Sequence, residues 1–231
     1  MNVFYNIINT FSFEIIHKTL MLIFTFFAIH LLISCEDKKE LNPPISTRQE
    51  CLAEADFDPP EESPYCLPYL EGQEYEVYQS YCSPPPGSHE KRYAIDFLMP
   101  IGTEIIAARA GEVVELREHW SDDDRIGSHN NMVCLRHSDE TLSLYIHMMY
   151  EGVDVALGDY VPKGGHLGWS GSSGDTNGVP HLHFQVCLRS GMCSSETGEY
   201  TLPVNFSNAE GPHDEKGGLI AGEVYLATQC E

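Results

Sequence analysis

The segment GVPHLHFQVCL, residues 178–188, carries two histidines one residue apart inside an apolar run. In an extended strand, residues i and i+2 share a face and stand about 6.5–7 Å apart. His181, His183 and Gln185 therefore line one face, and Leu182 and Phe184 the other. Two imidazoles so placed can serve one small site, one on a metal and one on a substrate. YAIDF, residues 93–97, adds Asp96 between Ile95 and Phe97. A carboxylate in an apolar strand is costly unless a cation or hydrogen bonds match its charge. TLSLYIHM, residues 141–148, alternates, with Leu142, Leu144, Ile146 and Met148 on one face and Ser143, Tyr145 and His147 on the other. It adds His147 as a third polar contribution, with Tyr145 beside it as a packing residue. Imidazole nitrogen and carboxylate oxygen together suit zinc.

These groups need a scaffold, and the surrounding pattern is β. TEIIAARAGEVVELREH reads as two short apolar runs broken by Gly111, and NMVCLRH as a further strand. No convincing long amphipathic helix follows residue 36. GTEIIAARAGEV (102–113) and GDYVPKGGHLGW (158–169) echo one another, as two half-motifs that pack together do. The glycines Gly171, Gly174 and Gly178 predict a mobile loop, and SDDDR (121–125) reads as a solvated one. The remaining histidines, 119, 129, 137, 166 and 213, read as surface or loop residues.

The 231 residues carry a formal net charge of −22, which disfavours nucleic acid as a partner. Leu20–Ser34 is an apolar run of fifteen, short for a membrane span but suited to a secretory signal. It ends in LLISC, which resembles the lipobox of bacterial lipoproteins; by that resemblance Cys35 becomes the lipid-bearing first residue of the mature chain. The expected organisation is a lipoprotein signal over 1–34, a tether over 35–50, a cysteine- and proline-rich lead-in over 51–88, a β domain over 89–202, and a terminal strand and tail over 203–231. Export permits disulfides. Cys187 and Cys193 flank a hairpin tip and form a plausible pair; Cys51, Cys66, Cys82 and Cys230 cannot be paired from sequence. Cys134, in a core strand, is the candidate free thiol.

The blocks IDFLMPIGTEIIAARAGEVV, NNMVCLRHSDETLSLYIHM, VDVALGDYVPKGGHLGWSGSSG and PHLHFQV resemble, in order and spacing, the lysostaphin/LytM-type zinc metallopeptidases, exported enzymes that cut peptide bonds of bacterial peptidoglycan. The resemblance covers about residues 89–187. It implies a mainly β fold, a compact antiparallel β-sheet or sandwich domain with a duplicated half-motif and a narrow groove over the sheet. It further implies Zn2+ held by Asp96 and His183, with His147 and His181 as catalytic histidines beside it. The family's first histidine ligand usually stands four residues before the aspartate, where this chain has Arg92. A guanidinium has no free lone pair and cannot ligate. His89, seven residues before Asp96, is the expected replacement, with His119 and His129 as alternatives. Two functions follow. One is a zinc-dependent endopeptidase acting on peptidoglycan peptides at the cell envelope, held to the membrane by its N-terminal lipid. The other is a catalytically inactive member acting as a binding module or regulator of cell-wall hydrolases.

Overall fold

The computed structural model describes residues 51–231 other than 54, 84–88, 90–91 and 189–200. The signal, the tether and Cys35 lie outside the described residues. No helix among the described residues is long and apolar enough to cross a membrane. Helix is confined there to one turn at 51–53 and a 3-10 turn at Pro60–Glu62.

The chain forms two antiparallel sheets, as the alternating patterns require. Its strands are β1 (Glu74–Gln79), β2 (Ala94–Leu98), β3 (Glu104–Ile106), β4 (Gly111–Arg117), β5 (Met132–Arg136), β6 (Leu142–Ile146) and β7 (Met148–Val153). They continue with β8 (Tyr160–Val161), β9 (His166–Ser170), β10 (His181–Cys187), β11 (Thr201–Leu202), β12 (Ala209–Glu210) and β13 (Val224–Ala227). The large sheet runs β12-β13-β1-β2-β10-β6-β5-β4-β8, with β11 also on β10; the small one runs β3-β9-β7. The two echoing segments pair with each other, Glu104 opposite Trp169 and Gly111 opposite Val161. The duplicated half-motif is thus a physical pairing.

The main core covers one face of the large sheet. Ile95, Phe97, Tyr145, Leu182, Phe184 and Val186 supply it from β2, β6 and β10, against Ile105, Met148 and Leu167 of the small sheet. The opposite face carries a smaller apolar cluster, Met132, Cys134, Leu142, Leu144 and Ile146. Cys134 is a free, buried thiol whose pKa burial pushes up to about 12.

The lead-in and the tail are parts of this sheet. The 51–88 segment contributes β1 beside β2, and 203–231 contributes β13 beside β1. Cys51–Cys82 and Cys66–Cys230 staple them, the second across 164 residues. A crosslink of that span stabilises by about 4–5 kcal/mol through the unfolded chain. Cys187 is also disulfide-bonded; its expected partner, Cys193, lies outside the described residues.

Candidate metal centre

On the face away from the main core, register puts Met132, Ile146, His183 and Asp96 in one row across β5, β6, β10 and β2. His183 and Asp96 stand directly opposite, and His181 lies two residues along the same face. His89 enters from the preceding chain, where the Arg92 N–H closes a turn on the His89 carbonyl at 2.9 Å. One ligand atom each of His89, Asp96 and His183 lies within 4.8 Å of the others, all three residues buried. His183 Nδ1 is 2.9 Å and His89 Nε2 3.3 Å from Asp96 Oδ1, and the two nitrogens are 3.3 Å apart.

The outer hydrogen bonds decide which ring nitrogens carry protons. His89 Nδ1–H donates to the Ser80 carbonyl at 3.2 Å. His183 Nε2–H donates to Gln185 Oε1 at 2.9 Å, because the Gln185 amide N–H is turned toward Cys187 Sγ, a disulfide sulfur that can only accept. His89 Nε2 and His183 Nδ1 therefore present lone pairs to a carboxylate oxygen that is buried and has no hydrogen-bond partner of acceptable geometry. Three lone-pair atoms converging in a buried place repel unless a cation lies between them, so the donor set fits a metal. Burial pulls His89 down, but the Asp96 charge outweighs it and raises its pKa. Burial would raise Asp96, but His89 and His183 hold it well below the usual carboxylate range.

Two more imidazoles flank this trio. His147 Nδ1–H donates to the Ser173 carbonyl at 2.7 Å, and His181 Nδ1–H to that of Val179 at 2.8 Å. Each backbone carbonyl fixes the tautomer, leaving Nε2 as the free acceptor. The two rings are 4.6 Å apart, and His147 is 6.1 Å from His183. Burial, then the neighbouring His181 and His183, lowers His147 to about 3, so it is neutral.

His147 reaches this face by a backbone reversal. Strict alternation would put it on the face of Tyr145, opposite His183. The expected single strand is instead two, β6 and β7, in different sheets, and between them His147 adopts φ +67°. A non-glycine residue there costs on the order of 1–3 kcal/mol. Neighbouring bonds hold it: Gly171 N–H to the His147 carbonyl at 2.8 Å and Met148 N–H to that of Asn131 at 3.1 Å. Tyr145 stays in the main core, its hydroxyl accepting the Ala108 N–H at 2.8 Å. It packs, and does not join the site.

Other expectations change too. The 170–180 loop is bound down. Ser172 N–H donates to Asp122 Oδ1 at 2.8 Å, Arg125 to the Ser172 carbonyl at 2.7 Å, and Asn131 N–H to Ser173 Oγ at 3.0 Å. Its glycines allow close approach: a Cβ on Gly171 would sit 2.3 Å from Asp122 Oδ1, and one on Gly174, at φ +81°, 2.0 Å from Asn130 Oδ1. SDDDR is accordingly a clamp as well as a loop. His119 and His129 are not brought to the trio; His129 stacks on Trp120 at 3.6 Å and bonds Asp124 at 2.8 Å. His137 is buried, not a surface residue, with Nδ1 at 2.8 Å from the Ala110 carbonyl. Ser80, Asn131 and Ser173 carry no signal in the sequence, because backbone carbonyls and fold-dependent contacts give them their parts.

Residues 90–194 match the profile described as Peptidase family M23. Lysostaphin of Staphylococcus staphylolyticus is 36% identical over 128 residues, 55% of this chain and 24% of that protein. The glycyl-glycine endopeptidase ALE-1 of Staphylococcus capitis is 32% identical over 117 residues, 51% of this chain and 29% of its own. The chain thus spans about a quarter of the length of these relatives. Among solved structures, the antimicrobial peptidase lysostaphin from Staphylococcus simulans aligns with a TM-score of 0.45 at 30% identity, over 60% of this chain and 51% of that one.

Proposed function

We propose that this protein is a zinc-dependent endopeptidase that hydrolyses peptide bonds of bacterial peptidoglycan at the cell envelope. The observation that carries the reading is the convergence of His89 Nε2, Asp96 Oδ1 and His183 Nδ1 in one buried place, with His147 and His181 beside them. Bound to the trio, zinc would supply Lewis acidity toward a carbonyl oxygen and toward water. His147 Nε2, left bare by the Ser173 carbonyl, takes the proton from the attacking water. The same nitrogen then returns that proton to the leaving amine, while His181, whose Nε2 lies 3.8 Å from Asp96 Oδ2, in its protonated form steadies the developing oxyanion. Asp96, His181 and His183 stand on paired strands, and carbonyls hold the rings of His89 and His147, so little reorganisation is needed at the moment of reaction.

The reading is supported by the match of residues 90–194 to the M23 peptidase profile and by a relative named as an endopeptidase. The test uses the full chain, stripped and reloaded with zinc, on peptidoglycan sacculi. New free amino groups should appear with zinc and not with chelator. A chain that takes up no zinc, or one whose cleavage survives His183→Ala, overturns it. Arg92 at the usual ligand position favours the second reading, a non-catalytic envelope regulator. In that case His183→Ala leaves the biological role intact in a folded protein.

The same proposal has the chain exported, cleaved after residue 34 and lipid-anchored at Cys35. Two disulfides in the described residues suit an oxidising compartment. Labelled palmitate should enter the protein and be lost on Cys35→Ala; label retained by that variant would refute the anchor.

A further inference from the structure

His89 is the ligand whose position the family's spacing does not explain. Its anchor is the Ser80 carbonyl, and Ser80 is itself immobilised, its hydroxyl donating to the Leu219 carbonyl and its N–H to Ser83 Oγ at 3.2 Å. Two residues on, Cys82 N–H donates to the Arg92 carbonyl at 2.8 Å. Cys82 and Arg92, which flank His89 in the sequence, are therefore held together. Cys82 holds φ +55°, a conformation that a non-glycine residue keeps only under constraint. The constraint is covalent: Cys82 is bonded to Cys51. The Cys51 carbonyl in turn accepts from the hydroxyl of Tyr93, the residue after Arg92, at 3.0 Å. Phe57 packs against Tyr81 and Tyr93 at 5.1 and 6.1 Å, covering this circuit.

We propose that the Cys51–Cys82 disulfide positions the metal ligand His89. It fixes Cys82, whose N–H is bonded to the Arg92 carbonyl, so that His89 completes a cation site that this chain's spacing would otherwise leave with two protein ligands. The proposal rests on the reading that His89, Asp96 and His183 bind a metal. Its physical basis is preorganisation. A ligand held by a fixed base loses little conformational freedom on binding, whereas one on a loosened base must be ordered at the expense of affinity. Supports behind metal ligands are typically worth about 10–100-fold in affinity. The other described crosslink, Cys66–Cys230, ties the lead-in to the C-terminal end and serves as the control.

The test is zinc affinity of the full chain, read by competition with a chromogenic chelator. Cys51→Ala/Cys82→Ala should bind zinc about 10-fold or more weakly. The same pair in a His89→Ala background should cause no further loss, because the effect runs through His89. Unchanged affinity, or an equal loss with and without His89, overturns the proposal. Failure of the metal reading looks different: the unsubstituted chain then binds zinc no better than His183→Ala. Should the double-alanine chain not fold, the unsubstituted chain decides by linkage. In a glutathione buffer, two glutathione thiols give two electrons and two protons to open the bond and become one glutathione disulfide. A 10-fold preference of zinc for the oxidised chain lowers the Cys51–Cys82 midpoint by about 30 mV when zinc is added at saturation. Alkylation of Cys51 and Cys82 reads that midpoint by mass spectrometry. An unchanged or raised midpoint overturns the proposal.

Discussion

Two histidine–carboxylate clusters in this molecule use the same residue types to opposite ends. At the buried centre, His89 and His183 direct lone pairs at Asp96, and their outer nitrogens are tied to Ser80 and Gln185. On the small sheet, His166 stands between Glu104 at 2.9 Å and Asp154 at 2.8 Å, one carboxylate on each ring nitrogen, and Trp169 also donates to Asp154 at 2.9 Å. With both nitrogens donating, His166 has no lone pair left for a metal. Burial pulls its pKa down, but Asp154 and Glu104 outweigh it and raise it. The second cluster is a self-satisfied surface ion pair. The first points three lone-pair atoms at one buried place. What separates them is where the outer hydrogen bonds send the protons, and not which residues are present.

The comparison breaks most severely at His183→Ala, which should abolish both zinc uptake and peptide hydrolysis; retention of either removes the contrast. His147→Ala should lower hydrolysis by about 10²–10⁴-fold, as loss of a proton acceptor does. Its zinc content should stay that of the parent, since His147 lies outside the ligand trio. Metal loss with this variant, measured by elemental analysis, would show that the trio is drawn wrongly.

Gln185→Ala removes the acceptor that fixes the His183 tautomer, and should weaken zinc binding by about 10–100-fold while leaving the fold in place. An unchanged dissociation constant would mean that Gln185 only packs. The smallest effect belongs to the other cluster. His166→Ala should leave zinc affinity untouched and cost no more than about 1 kcal/mol of stability. Because the folded pKa of His166 is raised, its contribution is fully present below about pH 6.5 and is lost as pH rises through the folded value. Urea unfolding of parent and variant should therefore differ near pH 6 and converge near pH 9. A gap that widens with pH would reverse the assignment of charge.

Legibility in the sequence followed the range of the physics involved. The β character, the pairing of the 102–113 and 158–169 echoes, and the shared face of His181, His183 and Gln185 were all readable. So was Asp96 as a carboxylate needing a cation. Each of these is a local pattern, or one repeated along the chain. The disulfide partners of Cys66 and Cys82 were not readable, because they join residues brought together only by the sheet. The same holds for the strand in the lead-in and for the hydrogen bonds of the 170–180 loop, whose partners lie near residues 122–131.

Alternation with a period of two residues is a property of any extended strand, so the sequence alone determined which residues could share a face with His183. It could not determine that His147 would cross to that face, because the reversal at φ +67° is locally unfavourable and survives only through bonds to Gly171 and Asn131. Nor could it bring His89 across its extra spacing to Asp96. That meeting depends on a turn, a distant carbonyl and a covalent link to Cys51, and only the folded chain supplies all three.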